Sequence, residues 1–465
     1  MRAKIFNRVD FPFPLKDGNP NAISLYVDSE AVRHQVSNGG NPYPSLHVPD
    51  DILRWLYFVR PSLSTRSQDQ HLKIETKNRV AKRMQGVHGE AAFEMLARAT
   101  ELERQGRNIV HLEIGEPDFD TPGPIVRAGI ESLQEGKTHY APVNGVWQLR
   151  EAIAKKLSER HGVSVDPSCV LISPGAKVMI FAIIHSLVDP GDEVIYAAPV
   201  YPAYEAAVLM AGATPVQVVL DEKREFRFSL DEMARRITPK TKMIVINTPQ
   251  NPTGGVLTLD DLKGVARLAR QHDLLVLSDE IYSEIYYDTP TAGMLDVPDI
   301  KDRLLLVNGF SKTYAMTGWR VGYSVVPKDL VPTVNLFMNN SVSSTSTFCQ
   351  LAAIEAFTPE TTAIVEKMVQ EFRKRRDVFV DGLNSIPGIR CLKPHGAFYL
   401  FPNISSLGLT SKEIADRLLN EAGVAALPGT AFGYQGEGYL RFSFANSLAN
   451  IETALERIRG FVTRL

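Results

Sequence analysis

Beyond about Glu90 the chain alternates between two hydrophobic patterns. Apolar, β-rich runs recur at CVLISPG, DEVIYAAP, PVQVVL, KMIVIN, LLVLSDE and LLLVNGFSK. Helix-like segments such as KVMIFAIIHSLV and LDDLKGVARLARQHD lie between them. Continuous apolar runs, as opposed to alternating ones, suit strands buried on both faces of a mostly parallel sheet. The pattern therefore predicts a large α/β domain over about 122–355. Ahead of it, AAFEMLARATELERQG carries Phe93, Leu96, Ala97 and Leu102 near helical spacing and stops at Gly106. After it comes TTAIVEKMVQEFRKRRDVFVDGLNSI, long and helical, then strand-like GAFYLFP and GYLRFSFA with a helix between them. That arrangement reads as a second, α+β unit. Residues 1 to about 70 fit neither pattern. Their Pro, Asn and Gly-rich stretches predict an irregular arm with a strand or two and a short helix from about Pro49.

Composition narrows the classes. With 465 residues, 44% hydrophobic and 22% charged, the chain has material for more than one domain. Fifty-one basic and 53 acidic residues leave a formal charge of -2, so no field of one sign argues for nucleic acid or an anionic membrane. Cys169, Cys349 and Cys391 are far apart and form no CxxC, which argues against a zinc site or a disulfide framework and for a reducing cytoplasm. The most apolar stretch, VMIFAIIHSLV, is too short to span a bilayer, and the N-terminus lacks a signal-peptide core.

In open α/β sheets ligands sit beyond the carboxyl ends of the strands, so reactive residues belong where apolar runs end. CVLIS ends in PGAK, where the backbone N–H groups of Ala176 and Lys177 open a helix and suit a phosphate. LLVLSDE ends in Asp279, with Glu280 and Tyr282 after it; an acid there binds a metal, caps a helix or holds a cationic ring nitrogen. MIVIN ends in NTPQNPTGG, a turn that places Asn247 and Asn251 at the same edge. LLLVNGFSK ends in Ser311 and Lys312, with Arg320 eight positions on. Taken alone, a lysine is a solvated surface charge. At the mouth of a sheet, beside an arginine and partly desolvated, its pKa falls, and a neutral amine attacks a carbonyl carbon to give a Schiff base.

Seven segments in order carry a family resemblance: LEIGEPDFDTP, THYAPVNGVWQLREAI, NTPQNPTGG, SDEIY, SKTYAMTGWRVGY, GAFYLF and YLRFSF. From about Met84 to its C-terminus the chain resembles the fold-type I pyridoxal 5'-phosphate enzymes of the class I/II aminotransferase group, the aspartate aminotransferase relatives. The resemblance implies a cofactor-binding α/β domain over 122–355 with a mostly parallel seven-stranded sheet flanked by helices. It also implies a smaller α+β domain from 71–121 and 356–465, with 1–70 as an extension the family does not cover. By similarity Lys312 forms the internal aldimine and later shuttles the proton between Cα and C4'. Asp279 pairs with the pyridinium nitrogen. Tyr282 and Asn251 bond the phenolic oxygen, and Tyr201 stacks on the ring where many relatives have tryptophan. Ala176, Lys177, Ser311 and Arg320 hold the phosphate, joined by Tyr140 from the neighbouring subunit of a homodimer. Arg441, which strand alternation puts opposite Leu440 and Phe442, grips the substrate α-carboxylate, with Gly115 alongside. No metal is implied.

The resemblance also puts Lys177 where some bacterial relatives meet an acidic substrate's side chain, while the threonine that accompanies it there is replaced by Ala92. The implied activity is transfer of an α-amino group from an amino acid to a 2-oxo acid. The same cofactor supports elimination, replacement or cyclisation, which the cofactor motifs do not separate from transamination. A ligand sensor on this fold is a third reading, which the absence of a helix-turn-helix pattern disfavours. The arm, with Trp55, Tyr57 and Phe58, is expected to be a structural arm that extends an interface or covers the site mouth, the sharper alternative being that it helps bind a second substrate for other chemistry.

Overall fold

Seven strands form the central sheet: β1 Val170–Ser173, β2 Glu193–Ala198, β3 Thr214–Val219, β4 Thr241–Asn247, β5 Leu275–Asp279, β6 Leu304–Gly309 and β7 Gly322–Val325. Their spatial order is β1-β7-β6-β5-β4-β2-β3. The pairs β2/β3, β2/β4, β4/β5 and β5/β6 are parallel, and only β7 runs against its neighbours. The computed structural model describes residues 81–465. The expected arm at 1–70, its helix from Pro49, and Trp55, Tyr57 and Phe58 lie outside the described residues. The described residues, 81–465, belong to one compact unit.

The mostly parallel sheet expected from the apolar runs is present, and the six runs supply six of its strands. The seventh, β7, begins on the last two residues of the SKTYAMTGWRVGY segment and is four residues long, too short to register as a run. Burial on both faces holds for β1, β5, β6 and, past the exposed Lys242, β4, whereas β3, at the sheet edge, leaves Thr214 and Val219 exposed. Helices cover the two faces and bury two hydrophobic clusters, one on each side of the sheet. Helix α2, Ala176–Leu187, follows β1 and buries Met179, Ile180, Ala182, Ile183 and Ile184. Helix α3, Leu259–Gln271, starts in a capping box in which Thr258 and Asp261 exchange side-chain and backbone bonds, worth about 1 kcal/mol.

The α+β elements surround a three-stranded antiparallel sheet of β8 Tyr399–Leu400, β9 Leu427–Pro428 and β10 Leu440–Ser443, with β10 in the middle. The 26-residue helix α4, Pro359–Asn384, and Leu448–Val462 pack together beside it. Helix α1, Ala91–Arg104, lies where Gly106 was read as its stop, but its buried stripe is Met95 and Ala99. Phe93 is 63% exposed, so the stripe is rotated from the one expected. Among the described residues no helix is long and apolar enough to cross a membrane.

Close backbone packing fixes the junction between β7 and the start of α2. A methyl group on Gly322 would run into the backbone of Gly175 and Ala176, whereas one on Gly318 would meet nothing within 4 Å. Gly322→Ala is therefore expected to cost about 1–3 kcal/mol. Gly318→Ala should stay within about 0.5 kcal/mol. Urea unfolding midpoints of the two variants check this, and equal midpoints would contradict it.

Candidate active site

Register brings the strand ends together. Asn247 on β4 lies beside Asp279 on β5, which lies beside Val307 on β6, while Gly309 of β6 and Ser173 of β1 both flank Gly322. Asn251, Asp279, Ser311 and Lys312 therefore emerge at one carboxyl edge, and Arg320 enters it from the start of the antiparallel strand. Arg320 has a left-handed backbone (φ 56°) and lays its guanidinium on Gly175 (φ 92°), donating to the carbonyls of Thr317 at 2.9 Å and Pro174 at 3.3 Å. A side chain at 175 would collide with that guanidinium. The first N–H groups of α2, at Ala176 and Lys177, have no side-chain cap. Ser311 is buried next to this turn's strand edge.

Asp279 is 3% exposed. Its two oxygens accept from the Tyr204 hydroxyl at 2.7 Å and the Ile281 N–H at 3.1 Å. Burial pushes the carboxyl up to about 6 against the pull of those two bonds. Glu280 turns away, accepting from the Ser278 hydroxyl at 2.8 Å and the Met294 N–H at 2.9 Å. Lys312 donates to the Gly115 carbonyl at 2.5 Å. Burial lowers its amine to about 8, helped by Arg441 and Arg320 and opposed by Glu116 and Glu90. Neither Asp279 nor Lys312 forms an ion pair among the described residues; their partners are neutral.

Tyr282 shares a 2.7 Å hydrogen bond with Tyr399, and burial holds both hydroxyls above their ordinary range. Arg441, on β10, is buried with its guanidinium 4.7 Å from the Tyr399 ring centre and 5.2 Å from that of Phe432. It donates to the Glu113 carbonyl and, at 3.5 Å, to Asn251 Oδ1, while its Nε has no partner. The strand's other face also lies in the core, so the alternation marks two buried faces rather than an inside and an outside. Tyr201 stands edge-on to Tyr204, ring centres 5.8 Å apart. Tyr140, by contrast, is 92% exposed and stands outside the constellation.

The resemblance aims the Lys177 side chain at a substrate carboxylate; in the structure it is bonded to Glu90. Three residues without a role in the sequence reading line the site. Tyr204 follows Tyr201 by three positions at the start of a helix, Ala203–Met210, so helical spacing carried a signal for it. Tyr399 lies inside the GAFYLF segment, and the space that admits its hydroxyl is the missing side chain of Gly115. Glu90 meets Lys177 across 87 positions, a contact no local pattern reveals.

These groups suit a flat, phosphorylated, cationic-ring cofactor. There is an uncapped helix start with an arginine, a buried carboxylate without a bonded cation, and a half-buried amine without a bonded anion. An arginine with an unpartnered Nε completes the set. A cavity of about 580 Å³ lined by Arg160, His161, Glu284 and Asp296 shares none of these residues. Among the described residues no cluster of His, Cys, Asp and Glu could hold a metal.

Comparison with known proteins agrees. The family described as "Aminotransferase class I and II" matches residues 107–458. An aromatic-amino-acid aminotransferase of Thermococcus litoralis is 41% identical over 353 residues, 75% of this chain and 90% of its own. An aspartate aminotransferase of Geobacillus stearothermophilus is 37% identical over 391 residues, 83% and 99%. The solved structure of aspartate aminotransferase from Thermus thermophilus with maleate superposes with a TM-score of 0.79 at 38% identity, covering 82% of this chain and 99% of that one.

The carboxyl at 279 gives a stability test. Its folded pKa of about 6 lies above the unfolded value of 3.8, so the contribution is intact below about pH 4 and is lost as pH rises through about 6. Cofactor-free wild type should therefore lose about 2–3 kcal/mol relative to Asp279→Asn between pH 4 and pH 7. Urea unfolding of both proteins at the two pH values measures it, and a pH-independent difference would refute the buried, raised carboxyl.

Proposed function

Because the chain belongs to the class I and II aminotransferases, we propose that Lys312, Asp279 and Arg441 carry its amino-group transfer from an amino acid to a 2-oxo acid. The protein is a pyridoxal 5'-phosphate-dependent amino acid aminotransferase. Its relatives do not favour the elimination, replacement and cyclisation reading. The cofactor, when bound, supplies an aldehyde carbon for the amino group and a ring that takes up the electron pair released at the amino acid's α-carbon.

The remaining work falls to the chain. Ala176 and Lys177 offer backbone N–H groups at the dipole-positive end of α2, and Ser311 and Arg320 add a hydroxyl and a planar cation, a set that suits the phosphate. Asp279, ionised near neutrality, supplies the negative charge for a ring nitrogen, and Tyr204 holds that charge in place by its 2.7 Å bond. Tyr282 and Asn251 suit the phenolic oxygen, and Tyr201 the ring face. Arg441 has the donors to bind the α-carboxylate, and its buried, unpartnered Nε is the direction left for it. Lys312 is the base. An amine titrating near 8 is partly neutral at physiological pH, so it both accepts the proton from the α-carbon and returns it. The half-buried Lys312, without an ion-pair partner among the described residues and with its amine lowered, is the observation that carries this reading.

The exposure of Tyr140 supports a homodimer. A hydroxyl that stands clear of its own chain's site reaches a phosphate only if a second copy supplies one. Light scattering is expected to read twice the chain mass, and a monomer that turns over at full rate would remove this part of the reading.

Incubation with an amino acid panel and 2-oxoglutarate should release the matching oxo acid. Lys312→Ala should lower turnover by about 100-fold to 10,000-fold or more. Donor consumed without oxo acid, or turnover kept in Lys312→Ala, would overturn the assignment.

A further inference from the structure

Glu90 immediately precedes the first residue of α1, where a carboxylate usually caps the helix or faces its positive dipole end. It makes no such bond. Its Oε1 instead accepts from the Lys177 ammonium and, at 3.0 Å, from the Tyr201 hydroxyl. The ammonium lies 5.6 Å from the centre of the Tyr201 ring, the ring assigned to the cofactor's face. The Glu90 carboxylate is close enough to the reacting groups to bear on them. Burial is the main influence on Lys312, Tyr399 and Arg441, and the charge on Glu90 acts on each of them as well.

The cations around this space divide by task. Arg320 is at the phosphate turn, Arg441 faces the α-carboxylate, and Lys312 is the base. Lys177 is the one left over among these four, and a substrate with a second carboxylate would use it. Glu90 already occupies it, and the position two residues on, Ala92, offers no hydroxyl.

Resting on the aminotransferase reading, we propose that Glu90 determines specificity by standing in for a substrate's distal carboxylate on Lys177, so that the site favours amino acids with uncharged side chains. An acidic side chain must then break the Glu90–Lys177 pair and sit beside a second carboxylate, where like charges repel. An uncharged one leaves the Glu90–Lys177 pair closed.

The test uses the cofactor-loaded full chain as wild type, Glu90→Gln, Lys177→Met and the double variant. Two readouts are taken: kcat/KM for aspartate and for phenylalanine as donors, and calorimetric affinity for succinate, which has two carboxylates and no amino group to transfer. Wild type is expected to prefer phenylalanine. Glu90→Gln should raise the aspartate-to-phenylalanine ratio by about 10-fold or more and tighten succinate similarly. Lys177→Met should cancel both gains in the double variant, which a merely structural role for Glu90 would not produce. A ratio and a succinate affinity that move less than twofold in Glu90→Gln, or gains that survive Lys177→Met, would overturn the proposal. Succinate affinity responding as expected while neither donor yields an oxo acid would sustain the role of Glu90 and sink the aminotransferase assignment instead.

Discussion

A half-buried amine and a buried carboxylate, close enough for the charge of Lys312 to act on Asp279 yet not bonded to each other, set the terms for everything around the sheet's carboxyl edge. Lys312 and Asp279 bond only to neutral groups, a carbonyl, a hydroxyl and a backbone N–H. Burial moves both toward their uncharged forms, the amine down to about 8 and the carboxyl up to about 6. Unpaired buried charge costs several kcal/mol, so the fold must prevent the two from collapsing together or turning out to water. The parallel ladder does this. Asp279 is held between Asn247 and Val307 by register on two sides, and Lys312 leaves the end of β6 three residues past Gly309. A surface loop would let either side chain relax.

That dependence explains what was legible in the sequence. Strands buried on both faces need unbroken apolar runs, and groups they position must follow where the runs stop. Both features are local, so β1, β4, β5 and β6 and the residues Asp279, Asn251, Ser311 and Lys312 can be read directly. Strand β7 escapes because four residues, two of them Gly322 and Ser324, make no apolar run. The α1 stripe differs from the expected one at Phe93 because helical periodicity fixes a face only to within about one residue's rotation. Neighbouring elements decide which residues go inside, here Met95 and Ala99.

Contacts across long sequence separations were invisible for a different reason. Tyr204 reaches Asp279 over 75 positions, and Tyr282 meets Tyr399 over 117. Each of these hydroxyls is aromatic and buried, and in a sequence such residues look like core. What separates them from core is the partner atom, which only the fold supplies. Arg441 is the converse case. Its alternation with Leu440 and Phe442 was visible, but burial of both strand faces, and the loss of any partner at Nε, follow from the sheet and helices that enclose it.

The site's residues also divide by the rigidity of what carries them. Those suited to the cofactor stand on strand ends and on the first turn of α2, where displacing one disturbs the sheet. Glu90 stands outside that frame, on the residue before α1, joined to the edge through side chains alone. It forgoes a side-chain cap at its own helix for a bond to Lys177. A small local loss at a helix start is thus exchanged for control of one cation's availability, and nothing in the sheet has to change. Discrimination between side chains can therefore vary at position 90 while the amine and carboxylate that do the chemistry stay fixed in their register.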